Sequence, residues 1–139
     1  MKYGMALSLL ALLVAGGCTS STEPRSGALN IRKDCSTYSG GAGQICTISV
    51  SNLPELPVGS TITYASAAVG ANLDTDIVID PPATNDTAAG HCTLSLSTGI
   101  GTCTLSGGTG KFRSLRANVA VSNVAGPTYA WDGTYSFDD

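Results

Sequence analysis

Apolar and polar residues alternate with a period of two along the chain after residue 27, and this pattern restricts what the chain can form. The clearest segment is 115–122, where Leu115, Ala117, Val119 and Val121 alternate with Arg116, Asn118, Ala120 and Ser122. Successive side chains of a β-strand point to opposite faces, so the alternation gives each strand one buried face and one wet face. The segment 28–139 is therefore predicted to be all-β.

The alternation predicts about eight strands, separated by glycine-containing turns that suit hairpins. They lie within residues 29–33, 45–51, 61–67, 76–80, 91–97, 102–106, 115–122 and 128–137. One wet face and one dry face are typical of antiparallel sheets. We predict an antiparallel barrel, with a two-sheet β-sandwich as the alternative. The longest loop is expected around Pro81-Pro82 and Asn85 to Gly90.

The cysteine spacing indicates two disulfides. Cys35 and Cys46 are eleven residues apart, as are Cys92 and Cys103, and each pair brackets a turn with glycine. Four cysteines allow three pairings. Folding each hairpin at its turn brings its own two cysteines within disulfide reach, which favours 35–46 and 92–103. The cysteines share parity with the neighbouring leucines, so both bridges should face inward.

The first seventeen residues have the layout of a secretory signal. Lys2 supplies a positive start, an apolar run extends from Met5 to Val14, and small residues follow. The run of about ten apolar residues is shorter than the roughly 20 needed to span a bilayer. We interpret 1–17 as a signal peptide with a signal helix, 18–27 as a flexible tether and 28–139 as the β domain.

The sequence Val14-Ala15-Gly16-Gly17-Cys18 resembles the lipobox of bacterial lipoproteins. This resemblance implies cleavage before Cys18, a lipid thioether on its sulfur and anchoring to a membrane. Lipidation of Cys18 also leaves an even number of cysteines for disulfides. In lipoproteins of double-membrane bacteria, Asp after the cysteine often signals inner-membrane retention. Thr19 stands there, so the resemblance implies the outer membrane.

Catalytic and metal-binding patterns are weak. The single histidine, His91, is expected on the polar face of a strand, and the cysteine spacing does not fit zinc. The acidic residues are expected to be solvated loop or strand residues, although oxygen-rich loops can bind Ca²⁺; they are Asp74, Asp76, Asp80 and Asp86. The alternative is that Asp132, together with Asp74 or Asp76, forms the carboxylate pair of a hydrolytic enzyme. The net charge of −3 does not indicate the basic surface that is typical of nucleic-acid-binding proteins.

Aromatic residues are concentrated in the last predicted strand, where Tyr129, Trp131, Tyr135 and Phe137 share a face. Such a row most often forms core. If exposed, Tyr129, Trp131 and Tyr135 would form a platform for a glycan or an apolar ligand.

The segment Gly101 to Phe112, GTCTLSGGTGKF, resembles the glycine-rich hairpins of small barrels of the allene oxide cyclase and dirigent type. The resemblance covers about the last fifty residues and implies a calycin-like barrel with room for an apolar cavity. No position matches the catalytic residues of that family, so none is transferred.

These observations predict an exported, lipid-anchored cell-envelope protein without catalytic activity or cofactor. Its role is structural, or it binds a small apolar or glycan ligand or an envelope protein. The alternatives are a cyclase-like or hydrolytic β-barrel enzyme and a Ca²⁺-dependent adhesin-like module.

Overall fold

The computed structural model describes residues 25–138, which form eight antiparallel strands in one closed barrel. The strands are β1 (Ser26–Asp34), β2 (Gln44–Ser51), β3 (Thr61–Tyr64), β4 (Asn72–Asp80), β5 (Ala88–Ser95), β6 (Ile100–Gly108), β7 (Leu115–Ala125) and β8 (Thr128–Phe137). A short 3-10 helix, Gly110–Phe112, lies between β6 and β7. The predicted all-β architecture is confirmed.

Pairing of the first strand with the last closes the barrel. β1 and β8 pair along their length, from Ser26 opposite Ser136 to Asp34 opposite Thr128. Each of the other strands pairs with its neighbours in sequence order. Closure leaves no free sheet edge in residues 25–138, which removes a site for edge-to-edge aggregation. The barrel is therefore the architecture formed, and the sandwich alternative is not.

The two ends of the barrel differ in how they are covered. The end at which β1 begins is filled by Leu53 and Leu56 from the β2–β3 loop and by Phe112 of the 3-10 helix, all buried. We call it the N-terminal end. The opposite end carries the β1–β2, β3–β4, β5–β6 and β7–β8 connections. We call this opposite end the mouth.

The interior follows the alternation in the sequence. β4 shows it most clearly, because Leu73, Thr75, Ile77 and Ile79 are buried while the residues between them are exposed. Trp131 is fully buried and is among the largest side chains of the interior. Large apolar side chains pointing inward from all eight strands form one core, which is the arrangement that the period of two predicts.

Both predicted disulfides form and face the interior. Cys92 and Cys103 oppose each other across β5 and β6, with Cα atoms 4.1 Å apart. Cys35 and Cys46 join the ends of β1 and β2 at the mouth, with Cα atoms 4.4 Å apart. All four cysteines are buried.

Several strand boundaries differ from those predicted, most clearly at β1 and β5. β1 begins at Ser26, inside the segment predicted to be tether. β5 begins at Ala88, so the β4–β5 connection, residues 81–87, is shorter than predicted. It is not the longest loop, because the β2–β3 connection, residues 52–60, is longer. Ala88 and Gly90 had too little apolar character to be recognised as a strand, but they pair with β6 near a register shift.

The predicted signal peptide, its helix and Cys18 lie outside the described residues. Across residues 25–138, no helix has the length and apolar character needed to cross a membrane.

Candidate functional site

A lysine lies inside the barrel, and it is the most unusual feature of the interior. Lys33 follows Leu29 and Ile31 on the inward face of β1, and only 2% of its surface is exposed. The pairing register of β1 with β2 shifts between Arg32 and Lys33. Such irregularities often occur near functional sites because they re-aim side chains.

The Lys33 amine is surrounded by aromatic side chains. Its Nζ donates a hydrogen bond to Tyr64 Oη at 2.5 Å. The same Nζ lies 4.5 Å from the centroid of the Trp131 ring, 5.2 Å from that of Tyr64 and 5.9 Å from that of Tyr129. These rings attract an ammonium group, but they provide no negative charge to neutralise it.

Burial therefore controls the charge of this amine. Removal from water disfavours the ammonium form and lowers the pKa of Lys33 from 10.5 to about 7. The attraction of the rings acts in the opposite direction and is worth about 2 kcal/mol or more for a desolvated cation, whereas removing an ammonium from water costs several kcal/mol, so we take desolvation as the dominant effect. A large share of Lys33 is then a neutral amine near pH 7.

A cavity of about 20 Å³ lies beside Lys33 at the mouth. It is large enough for about one water-sized molecule. Its wall consists of tyrosine rings, leucine side chains and the Cys35–Cys46 disulfide; the tyrosines are Tyr38, Tyr64 and Tyr129, and the leucines are Leu73, Leu94 and Leu96. None of these wall residues, all within the described chain, carries a carboxylate.

Tyr38 covers the cavity from the β1–β2 connection. Its ring packs against that of Tyr64, with centroids 5.0 Å apart. The buried Tyr38 Oη and Trp131 Nε1 have no hydrogen-bond partner within residues 25–138. Unpaired buried donors are costly, and Tyr38, which lines the cavity, offers its hydroxyl to a polar atom of a bound molecule. Desolvation raises the pKa of Tyr38 and of Tyr64, which keeps both hydroxyls protonated at neutral pH.

The aromatic residues predicted as a platform do not lie together on the surface. Trp131 is fully buried. Tyr129 lies at the cavity. Tyr135 lies toward the N-terminal end, where its ring contacts Phe137 at a centroid distance of 6.0 Å. Trp131 and Tyr129 therefore belong to the interior and its mouth, not to an exposed platform.

His91 lies on the exposed face of β5, as predicted, but between two carboxylates of β4. Its Nδ1 is 2.9 Å from Asp76 Oδ1, and its Nε2 is 2.5 Å from Asp74 Oδ1. These hydrogen bonds to Asp76 and Asp74 raise the pKa of His91. The cross-strand arrangement is a surface ion pair that links β4 and β5.

The remaining predicted acidic residues are dispersed. Asp132 contacts Arg32 at 3.3 Å on the outer wall, between β8 and β1. Asp86 accepts a hydrogen bond from the backbone N–H of Lys111. Residues 25–138 contain no group of three or more His, Cys, Asp or Glu side chains placed to hold a metal ion.

Sequence reasoning missed Lys33. The signal was present, because Lys33 continues the parity of Leu29 and Ile31, and a lysine at an inward position is exceptional. The residue stood at the end of the predicted first strand, where an exposed lysine is ordinary.

No family model matches the chain, and no curated protein or solved structure matches it either. The resemblances to bacterial lipoproteins at Cys18 and to allene oxide cyclase-type barrels stay predictions.

Proposed function

We propose that this chain is an exported, lipid-anchored cell-envelope protein, without catalytic activity, whose barrel binds a small apolar ligand at its mouth. The observation that supports binding is the cavity beside Lys33, whose walls are tyrosine rings and leucine side chains. Apolar walls with a few placed polar groups are typical of small-molecule sites. An apolar ligand is preferred to a glycan because Trp131 is buried and offers no exposed stacking surface.

The position of the mouth is consistent with anchoring at Cys18. β1 begins at the end of the barrel opposite the mouth. A chain held through residues before Ser26 would leave the mouth free to meet molecules from solution. The two disulfides suit an oxidising compartment outside the cytoplasm.

Anchoring is tested by fractionating cells that produce the wild-type chain or Cys18→Ala. We expect the wild type in the membrane fraction and labelled by a fatty-acid analogue. We expect Cys18→Ala to lose the label and to leave the membrane fraction. An unlabelled wild type, or a membrane-bound Cys18→Ala, would refute lipid anchoring at this cysteine.

Binding is tested by NMR with a graded series of short linear alcohols as probes. We expect saturable shifts at the methyl groups of Leu73, Leu94 and Leu96, since these line the cavity. Leu96→Phe fills the entrance and should abolish the shifts. Val124→Phe adds the same ring at an exposed position and should leave them unchanged. Shifts spread over the surface, or insensitive to Leu96→Phe, would contradict the proposed site.

A further inference from the structure

We propose that Lys33 is a nucleophilic amine that captures small aldehydes at the mouth by forming an imine. This inference rests on the proposed binding site and deepens it by naming the chemical class of the ligand. Its support is the geometry around Nζ: a single hydroxyl partner, aromatic walls and an adjoining cavity.

In the part of the chain that the structure describes, no group facing Nζ supplies a negative charge that would hold it as an ammonium. β3 and β8 present Tyr64, Tyr129 and Trp131, and the β1–β2 connection presents Tyr38. β2 contributes the disulfide-bonded Cys46. The ionisable side chains facing Lys33 are thus tyrosines, and none of them is a carboxylate. Only the unprotonated form of an amine is a nucleophile, and burial is an established way to supply it.

An aldehyde fits this site better than an acid or a cation. A cation would meet no buried negative charge, and an acid would require both partners to be charged in an apolar cavity. An aldehyde is neutral and polar at one atom, and its imine is neutral when unprotonated. The cavity of about 20 Å³ accommodates a group about the size of one water, such as the carbonyl end of an aldehyde, so the rest of the molecule has to extend toward the mouth. The unpaired Tyr38 Oη is a donor available to the carbonyl oxygen.

The reaction balances without an oxidant or a reductant. The lone pair of Nζ attacks the carbonyl carbon, a C–N bond forms while the C=O π bond breaks and leaves its electron pair on oxygen, and this oxygen takes the proton that nitrogen loses. In the second step the nitrogen lone pair forms the C=N bond while the C–O bond breaks. The oxygen leaves as water, taking the remaining amine proton. The Tyr64 hydroxyl, 2.5 Å from Nζ, is placed to relay protons between nitrogen and oxygen.

The chain carries a control within the same molecule. After Lys33, the other lysine in the described residues is Lys111, which is exposed on the 3-10 helix. The experiment treats the purified mature protein at pH 7 with acetaldehyde and cyanoborohydride, which reduces imines to stable ethylamines. Peptide mass spectrometry then measures the rate of ethylation at each lysine.

We expect Lys33 to be ethylated at least about tenfold faster than Lys111, because burial lowers the pKa of Lys33 to about 7 and so enlarges its share of neutral, nucleophilic amine. The Lys33 rate should level off above about pH 8, since its pKa of about 7 leaves the amine largely unprotonated there. Lys33→Arg should give no adduct at residue 33, Tyr64→Phe should slow the reaction, and Lys111→Arg should leave the Lys33 rate unchanged.

Two outcomes would overturn the inference: ethylation of Lys111 as fast as that of Lys33, or an unmodified Lys33. The alcohol titration separates this failure from failure of the proposed function. If alcohols bind at the leucines while Lys33 stays unmodified, the proposed binding site stands and the proposed imine formation is refuted. If neither alcohol binding nor ethylation of Lys33 is observed, both the proposed binding site and the proposed imine are refuted.

Discussion

At the scale of single residues, Lys33 is an interior side chain whose burial opposes folding. The Leu29, Ile31 and Lys33 positions share an inward face, yet only the first two gain free energy by leaving water. The Lys33 ammonium loses hydration and gains no carboxylate. Residues retained at a cost to stability are characteristic of functional sites. Lys33 therefore defines the candidate site, in preference to the exposed cluster of His91, Asp74 and Asp76.

The cost of burying Lys33 predicts how stability changes with pH. Its folded pKa of about 7 lies below the value of 10.5 expected in the unfolded chain. Between these values the unfolded state binds more protons, so the free energy of unfolding rises with pH, by up to about 1.4 kcal/mol per pH unit. Chemical denaturation between pH 7 and 9 should show this rise in the wild type and lose it in Lys33→Met.

Lys111→Met serves as the matched control, because it removes an exposed amine and should keep the wild-type slope. The upper limit of pH 9 avoids the tyrosines. Their raised pKa values stabilise the fold up to about pH 10, and this contribution is lost at higher pH. An equal slope in wild type and Lys33→Met would show that Lys33 is not buried as described.

His91 gives a second residue-scale prediction, and it is the only histidine, so its NMR titration is unambiguous. Hydrogen bonds to Asp76 and Asp74 raise its pKa above 6.5. The stabilisation is complete below pH 6.5 and is lost as the pH rises through the folded pKa. It should be small because the pair is exposed. Replacing both carboxylates, in Asp74→Asn with Asp76→Asn, should lower the titration midpoint toward 6.5. A wild-type midpoint at or below 6.5 would contradict the geometry.

At the scale of strands, side-chain parity was predictable and strand limits were less so. β8 coincides with its predicted segment 128–137, because aromatic and polar residues alternate along its length. β4 was predicted only from Asp76, since Thr75 occupies an inward position and hides the alternation. Thr75 keeps its hydroxyl satisfied by donating to the carbonyl of Asp76. Local hydrogen bonding of this kind allows a polar residue in the interior, and a hydrophobic pattern does not reveal it.

Strand glycines provide a test of how closely the barrel wall is packed. A Cβ on Gly133 of β8 would collide with the backbone carbonyl oxygen of Asn118 in β7. A Cβ on Gly27 of β1 would make only ordinary contact, 3.4 Å from the Tyr135 ring. We expect Gly133→Ala to lower the free energy of unfolding by about 2 kcal/mol or more, and Gly27→Ala to change it by less than about 1 kcal/mol. Urea denaturation measures both, and similar values would contradict the close approach of β7 and β8.

At the scale of the whole molecule, alternation predicted the all-β fold, but it did not choose between barrel and sandwich. That choice depends on whether β1 pairs with β8, and the residue pattern of one strand does not specify which strand pairs with it. The same limitation applies to the site. The Lys33 cavity combines β1, β3, β8 and the β1–β2 connection, so its members converge only after closure. The cysteine pairs were predictable because each lies within one hairpin, where chain proximity determines the partner.

Variants that lack one disulfide or the other should distinguish an effect on stability from an effect on the candidate site. Each disulfide closes a loop of the same length, with a sequence separation of 11, so removing either should lower the free energy of unfolding by about 3 kcal/mol. Only Cys35–Cys46 lines the cavity. Replacing Cys35 and Cys46 by Ala should therefore alter alcohol binding and ethylation of Lys33, whereas replacing Cys92 and Cys103 should leave both unchanged in the folded protein. Thermal denaturation and the two binding assays measure these effects. If the 92–103 variant also changed alcohol binding or ethylation of Lys33 while remaining folded, the cavity would depend on the β5–β6 hairpin as a whole and could not be treated as a local site.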